Sequence, residues 1–259
     1  MSMTYEHVLL ERHGWYTTIT MNRPDRRNAL SSKHMAELTD AFRVAGASDA
    51  RGIVLAGNGP VFCAGHDFGE MLGSDLVAMR VLLAECTELM ETIQSVPQPV
   101  IARVHGLATA AGCQLVATCD LAVASADAGF AIPGGKGGWF CHTPLVAVAR
   151  NVGRKRAAEL AFTGDAIGAA TALDWGLVNR VVPADELDDA VLGLLERATR
   201  GSALSKGLGK HGFYDQVDLD QAKAYAYAVE LMAAASQTAD AQEGMASFVE
   251  KRPPKFVDR

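Results

Sequence analysis

Two short segments carry residue types that do chemistry through the backbone rather than through side chains. The first is Phe62-Cys63-Ala64-Gly65-His66-Asp67-Phe68, and the second is His105-Gly106-Leu107-Ala108-Thr109-Ala110-Ala111-Gly112-Cys113-Gln114-Leu115. Glycine and alanine let the chain turn sharply and approach another group closely, which leaves peptide N–H groups as the chemically useful parts. Two such groups aimed at one point make an oxyanion hole, which stabilises negative charge developing on a carbonyl oxygen. The second segment also starts a helix, so its N–H groups carry the positive end of the helix dipole.

Each segment follows an apolar, strand-like run, residues 52–56 and 99–104. Upstream, residues 8–12 and 16–21 read as strands with a turn at Gly14, and Ser31 or Ser32 caps a helix reaching about residue 45. Residues 75–96 form a long helix that Pro97 and Pro99 stop. Strand-like pieces at 121–124 and 129–132 follow the second segment. Strands alternating with helices predict an α/β fold. After about residue 142 the pattern is mostly helical, over 144–152, 155–162, 167–175, 185–200, 219–235 and 239–251, with one strand at 177–182. The expected division is a core over 1–200 and a helical C-terminal region over 201–259. Ala224, Ala226, Ala228, Ala233, Ala234 and Ala235 give the penultimate helix a small face suited to close packing, within the chain or against a second copy.

The 259 residues carry a net charge of −6 and are 49% apolar, enough for a sizeable core and unsuited to bulk binding of nucleic acid or an anionic membrane. Cysteines 63, 86, 113, 119 and 141 are odd in number and form no CxxC pair. With no secretory signal, they predict reduced thiols in a cytoplasmic protein. No apolar run reaches the ~18 residues of a membrane span, and no fixed-period repeat is present. The run Pro133-Gly134-Gly135-Lys136-Gly137-Gly138 invites a P-loop reading, but the G-x-x-x-x-G-K-[ST] pattern and any G-x-G-x-x-G are absent. No spaced ligand cluster suggests a metal.

Taken in order, these motifs resemble the crotonase superfamily, the enoyl-CoA hydratase/isomerase family. The loop from Asn22-Arg23-Pro24 to Asn28-Ala29-Leu30 fits, as do Ala64-Gly65-His66-Asp67, Gly112-Cys113-Gln114-Leu115 and Cys119-Asp120-Leu121-Ala122. Phe162-Thr163-Gly164, Trp175-Gly176-Leu177-Val178-Asn179 and the tail from Glu243-Gly244-Met245 to Arg252 extend the match over nearly the whole chain. Residues 62–67, 109–120 and 140–144 look closest to a less studied branch. The resemblance implies a crotonase-like α/β core of ββα units with a helical trimerisation region, and a homotrimer or dimer of trimers. It implies an acyl-CoA thioester as ligand, with coenzyme A present only as part of the substrate and no prosthetic group. It assigns the oxyanion N–H groups to His66 and Ala111, with Gly112 beside them. It lays the pantetheine arm along Ala64, Asp67 and Phe68, and the adenosine phosphates near Arg26 and Arg27. Asp67 suits a helix cap better than catalysis, and either arginine alone is as readily a solvated surface charge.

The departures from the family are as informative. The hydratases move protons with two glutamates, and the matching positions here are Gln114 and Gly134. Glutamine orients a water but takes no proton near neutral pH, and glycine has no side chain. No Asp or Glu lies between Phe130 and Asn151; His142 is the one downstream imidazole placed to face the pocket, a weak candidate against a solvent-exposed reading. The expected function is therefore acyl-CoA binding with an intact polarising half and no standard acid/base pair. The alternatives are a decarboxylase or thioesterase that needs only the oxyanion hole, a residual hydratase through Gln114 or His142, and a non-catalytic acyl-CoA-binding or regulatory protein.

Overall fold

The computed structural model describes residues 4–258. Strands β1 (Val8–His13) and β2 (Tyr16–Met21) form a hairpin, and α1 (Ser32–Gly46) leads to β3 (Gly52–Gly57), β4 (Val61–Cys63), the single turn α2 (Phe68–Met71) and α3 (Leu76–Ser95). The next stretch contains β5 (Val100–Val104), β6 (Leu107–Thr109), α4 (Ala111–Thr118), β7 (Leu121–Ser125) and β8 (Gly129–Ala131). After these come α5 (His142–Val152), α6 (Arg154–Thr163), β9 (Ile167–Gly168), α7 (Ala169–Trp175), β10 (Arg180–Val182) and α8 (Leu187–Ala198). Helices α9 (Ala203–Gln216), α10 (Gln221–Ala235) and α11 (Ala239–Glu250) complete the chain.

The strands form two sheets, ordered β1-β2-β3-β5-β7-β10 and β4-β6-β8-β9. Three successive strand pairs, β3/β4, β5/β6 and β7/β8, each place one strand in each sheet. The short turns between them stack closely: a Cβ on Gly106 would lie 2.8 Å from the Pro60 carbonyl oxygen. Strand β3 is buried at every position and pairs in parallel on both sides, which explains its unbroken apolar run. One face of the large sheet packs on α1, α3 and α4 around Phe42, Phe62 and Leu89; α8 covers Val54, Ile101 and Val123 on the other face with Leu187, Val191 and Leu195.

Helix α1 starts at the Ser31 cap, whose side chain accepts from His34 N–H, and α3 starts at Asp75, which accepts from Ala78 N–H. The helix expected over 167–175 begins only at Ala169. Ile167 and Gly168 instead pair antiparallel with Phe130 and Gly129, closing the edge of the small sheet. Helix α9 gives no helical signal in sequence, because Gly207, Gly209 and Gly212 read as breakers. Two of those glycines make room for neighbours: a Cβ on Gly207 would lie 2.9 Å from Pro97 Cβ, and one on Gly212 would collide with Leu231 of α10. A buried ion pair fastens α9 to the core. Lys210 Nζ lies 2.7 Å from Asp120 Oδ2, with side chains 7% and 15% exposed, and donates to the Ile93 and Gln98 carbonyls; Tyr214 donates to Asp120 Oδ1 at 2.8 Å.

Candidate functional site

The small-sheet strands β4, β6 and β8 end side by side, and the segments that leave them meet at one place. The first segment is braced from below by Asn28. This buried residue donates from Nδ2 to the carbonyls of Asn58, Val61 and Phe62, and accepts Arg23 N–H on Oδ1. The loop then crosses at Gly65, whose φ of +87° is left-handed and favours glycine. A Cβ there would lie 2.9 Å from Ala110 Cβ, 3.1 Å from the Thr109 oxygen and 3.3 Å from the Ala111 nitrogen. A Cβ on Gly112 would collide with the Cys63 carbonyl oxygen. The two motifs are thus packed backbone to backbone, and their glycines are a steric requirement.

Ala110 marks the point of strain, at φ 51° and ψ −118°, a conformation that costs a non-glycine residue about 1–3 kcal/mol and is typical of functional turns. It lets α4 start abruptly at Ala111. Around the crossing, Leu30 N–H donates to Gly65 O, Asp67 N–H to Leu30 O and Ala110 N–H to Ala131 O. The His66 and Ala111 N–H groups have no acceptor among the described residues. Both residues line one cavity of about 460 Å³, an arrangement able to bind a single oxygen that gains negative charge.

Ala64 and Phe68 share that wall with His66 and Ala111, Leu83 of α3 forms another side, and Trp139 and Phe140 close it from the loop after β8. No Asp or Glu belongs to the wall. The His66 imidazole has both ring nitrogens buried without a partner, and burial lowers its pKa to about 4, so the ring is neutral near pH 7. The thiols of Cys63 and Cys113 are pushed up to about 12 by burial, as unreactive packed cysteines are. Cys141 is buried in the wall. Lys136 sits at the rim with Nζ 2.9 Å from Asp165 Oδ1.

Of the remaining residues singled out from sequence, Gly134 and His142 line the cavity, and Asp67, Arg26, Arg27 and Gln114 fall outside its wall. Asp67 caps α2 by accepting from Gly69 N–H at 2.9 Å, and pairs with Arg23 Nη1 at 2.7 Å. Burial raises its pKa, but Arg23 and the Gly69 N–H outweigh that and the net shift is downward. Arg23 was not singled out as its partner, since nothing in the local pattern joins positions 44 residues apart. Arg26 and Arg27 are both exposed, and the Arg27 carbonyl accepts from Ala64 N–H, so the cations sit next to the cavity loop. Gln114 lies one helical turn past Ala111, buried at 5% exposure, with Oε1 unpartnered and no share in the cavity wall. His142 begins α5 at the rim, exposed, with its ring 5.1 Å from that of Phe140. Gly134 lines the cavity, yet a Cβ there would collide with the Trp139 carbonyl oxygen and lie 2.5 Å from Cys141 Sγ. No acidic side chain fits at that position. Among the described residues no group of three or more His, Cys, Asp and Glu is placed to hold a metal ion.

Comparison with known proteins gives the family. The family model for enoyl-CoA hydratase/isomerase matches residues 14–259. The chain belongs to the enoyl-CoA hydratase/isomerase family. Its fold is that of the family. The crystal structure of an enoyl-CoA hydratase from Mycobacterium smegmatis superposes with a TM-score of 0.93 at 45% identity, over 96% of this chain and 98% of that one. Human enoyl Coenzyme A hydratase domain-containing protein 3 superposes with a TM-score of 0.93 at 38% identity, over 97% and 100%. In sequence, the rat enoyl-CoA hydratase domain-containing protein 3, mitochondrial, is 41% identical over 238 residues, 91% of this chain and 79% of the relative. That is the less studied branch which residues 62–67, 109–120 and 140–144 resemble. The rat protein and its mouse, zebrafish, human and Xenopus laevis counterparts are all named as mitochondrial, which overturns the expectation of a cytoplasmic family member. Buried free thiols report a reducing environment and do not distinguish one such compartment from another.

Proposed function

We propose that this family member binds an acyl-CoA thioester and polarises its carbonyl between the His66 and Ala111 N–H groups, without the carboxylates that move protons in a two-glutamate hydratase. The observation that carries this reading is a cavity wall containing both unpaired N–H donors and no Asp or Glu. The thioester oxygen sits at the two donors. The pantetheine arm runs past Ala64 and Phe68, with Asp67 and Arg23 fixing that loop, and the adenosine phosphates lie toward Arg26 and Arg27. Gln114 stays outside the wall and the neutral His66 ring contributes shape to it, and neither replaces a glutamate as a base. Self-association into a trimer or a dimer of trimers is supported by the C-terminal helices. Helix α10 buries no residue, and Met232, Phe248 and Val249 are 79%, 86% and 78% exposed, an apolar surface of the kind that marks an interface.

Calorimetry with several acyl-CoA esters after EDTA treatment tests the binding. Saturable binding without metal supports the reading, and no binding at any chain length refutes it. A second reading, decarboxylation of a 2-carboxyacyl thioester, is favoured by the same acid-free wall. Loss of carbon dioxide leaves the electron pair on an enolate whose oxygen the two N–H groups hold, and water then supplies the proton at Cα. Release of carbon dioxide from malonyl-type thioesters separates the two.

A further inference from the structure

We propose that Lys136 forms a carboxylate subsite at the rim of the acyl cavity, and that the preferred ligand is a thioester whose acyl group carries a free carboxylate beyond Cβ. The inference rests on the acyl-thioester reading and adds the substrate class. The chain has 30 Asp and Glu residues, yet none lines the cavity, and Lys136 is the one Lys or Arg that does. The buried His66 ring adds no charge near pH 7. An anion entering this space therefore meets a cation and no fixed negative group. The first turn of α5 lies in the same wall with His142 and Thr143, which adds the positive end of that helix's dipole. Exposed lysines on a surface are ordinary; a single cation in the wall of an acid-free cavity is a specificity element.

The glycine-rich run from Pro133 to Gly138 places this cation. It turns tightly, with Gly137 N–H donating to the Pro133 and Gly134 carbonyls and Trp139 N–H to the Gly134 carbonyl. Gly164, just past α6, packs against the turn: a Cβ there would lie 3.0 Å from Lys136 Cβ and 3.2 Å from Pro133 Cα. The stem of Lys136 is thereby fixed at the rim, while its head holds Asp165 Oδ1 at 2.9 Å. Both side chains of that pair are well exposed, 64% and 71%, and such pairs contribute little. Exchanging Asp165 for a ligand carboxylate is therefore cheap. Position selects which carboxylate. Gly134 matches a hydratase glutamate and so borders the reacting carbons, whereas Lys136 lies two residues further along the turn. A carboxylate on Cα, as in a malonyl group, stays beside Gly134. One carried two carbons beyond Cβ, as in a glutaryl group, extends toward the rim.

The test is calorimetric binding of glutaryl-CoA and hexanoyl-CoA, which differ chiefly in the terminal carboxylate, and of malonyl-CoA and butyryl-CoA, all to the full chain at low salt. Glutaryl-CoA is expected to bind at least about tenfold more tightly than hexanoyl-CoA, through a charge-assisted hydrogen bond, and added salt should shrink that ratio. Lys136→Met keeps the apolar stem and should remove the preference while holding hexanoyl-CoA affinity. Asp165→Asn removes the competing carboxylate and should raise glutaryl-CoA affinity without changing that for hexanoyl-CoA. Equal affinity for glutaryl-CoA and hexanoyl-CoA overturns the subsite, as does a preference that survives Lys136→Met. A larger gain for malonyl-CoA over butyryl-CoA than for glutaryl-CoA over hexanoyl-CoA overturns its placement beyond Cβ. Failure of every ester to bind refutes the thioester reading itself, whereas hexanoyl-CoA binding with no carboxylate preference refutes only the subsite.

Discussion

Replacing Gly65 with alanine drives a methyl group between the two backbone segments that define the site. The added Cβ lies 2.9 Å from Ala110 Cβ and 3.3 Å from the Ala111 nitrogen, against an ordinary carbon–carbon contact of about 3.5–4.0 Å. The segments must separate by at least about 0.6 Å, and the alanine must also hold a φ of +87°, at a cost of about 1–2 kcal/mol. An N–H pair opened by that much no longer converges on one oxygen. Loss of one such donor typically costs about 2.7–4 kcal/mol of transition-state stabilisation. The assay is the ultraviolet shift of a bound, conjugated arylenoyl thioester, which reports carbonyl polarisation directly. Gly65→Ala is expected to abolish most of the shift. Gly14→Ala is the control, since it carries a φ of +61° with nothing within 4 Å of the new Cβ; it should lose similar backbone stability and keep the shift. A Gly65→Ala protein that folds, binds and shows the parent's shift would falsify the assignment of the two donors.

Further outcomes follow from other contacts. The double variant Arg26→Ala, Arg27→Ala should weaken CoA binding by ~1–3 kcal/mol through lost charged hydrogen bonds and leave pantetheine binding alone; equal affinities for CoA show mere surface charges. Asp120→Ala leaves the Lys210 cation buried without its partner, and should cost about 3–5 kcal/mol in urea denaturation; a loss under about 1 kcal/mol contradicts the anchoring of α9. Burial holds His34 and His66 at a pKa of about 4 when folded, against about 6.5 unfolded. Their stabilising effect is complete above pH 6.5 and is lost as pH falls toward 4, because the unfolded chain binds the extra protons. Unfolding free energy should therefore drop by up to ~1.4 kcal/mol per pH unit for each histidine between pH 6.5 and 5; a flat profile there refutes the buried neutral rings.

The features legible in the sequence are those set by local pattern. Alternating strands and helices, the Ser31 cap and the glycine-bearing loops all follow from neighbours a few residues apart. The capping role of Asp67 was legible for the same reason. Helix α9 was not, because its glycines are chosen by Pro97 and Leu231, residues that only the folded chain brings near. Strand β6 lies inside the second motif, where its small residues read as a turn. The Arg23–Asp67 pair and the bracing by Asn28 depend on contacts 30 to 44 residues apart. Gly134 is the sharpest case. Sequence shows only that a glutamate is missing there, whereas the structure shows that the Trp139 carbonyl and Cys141 occupy the space it would need.

The central claim is that this site polarises a thioester but lacks the groups that hydrate it, and the most direct measurement is the turnover of crotonyl-CoA by the purified protein. General acid–base groups contribute about 10²–10⁴-fold each, and paired groups are not additive, so the account predicts hydration at least about 10²-fold slower than a two-glutamate hydratase assayed alongside, with thioester binding and its spectral shift retained. Turnover at ordinary enzyme rates, about 1–10³ per second, contradicts it.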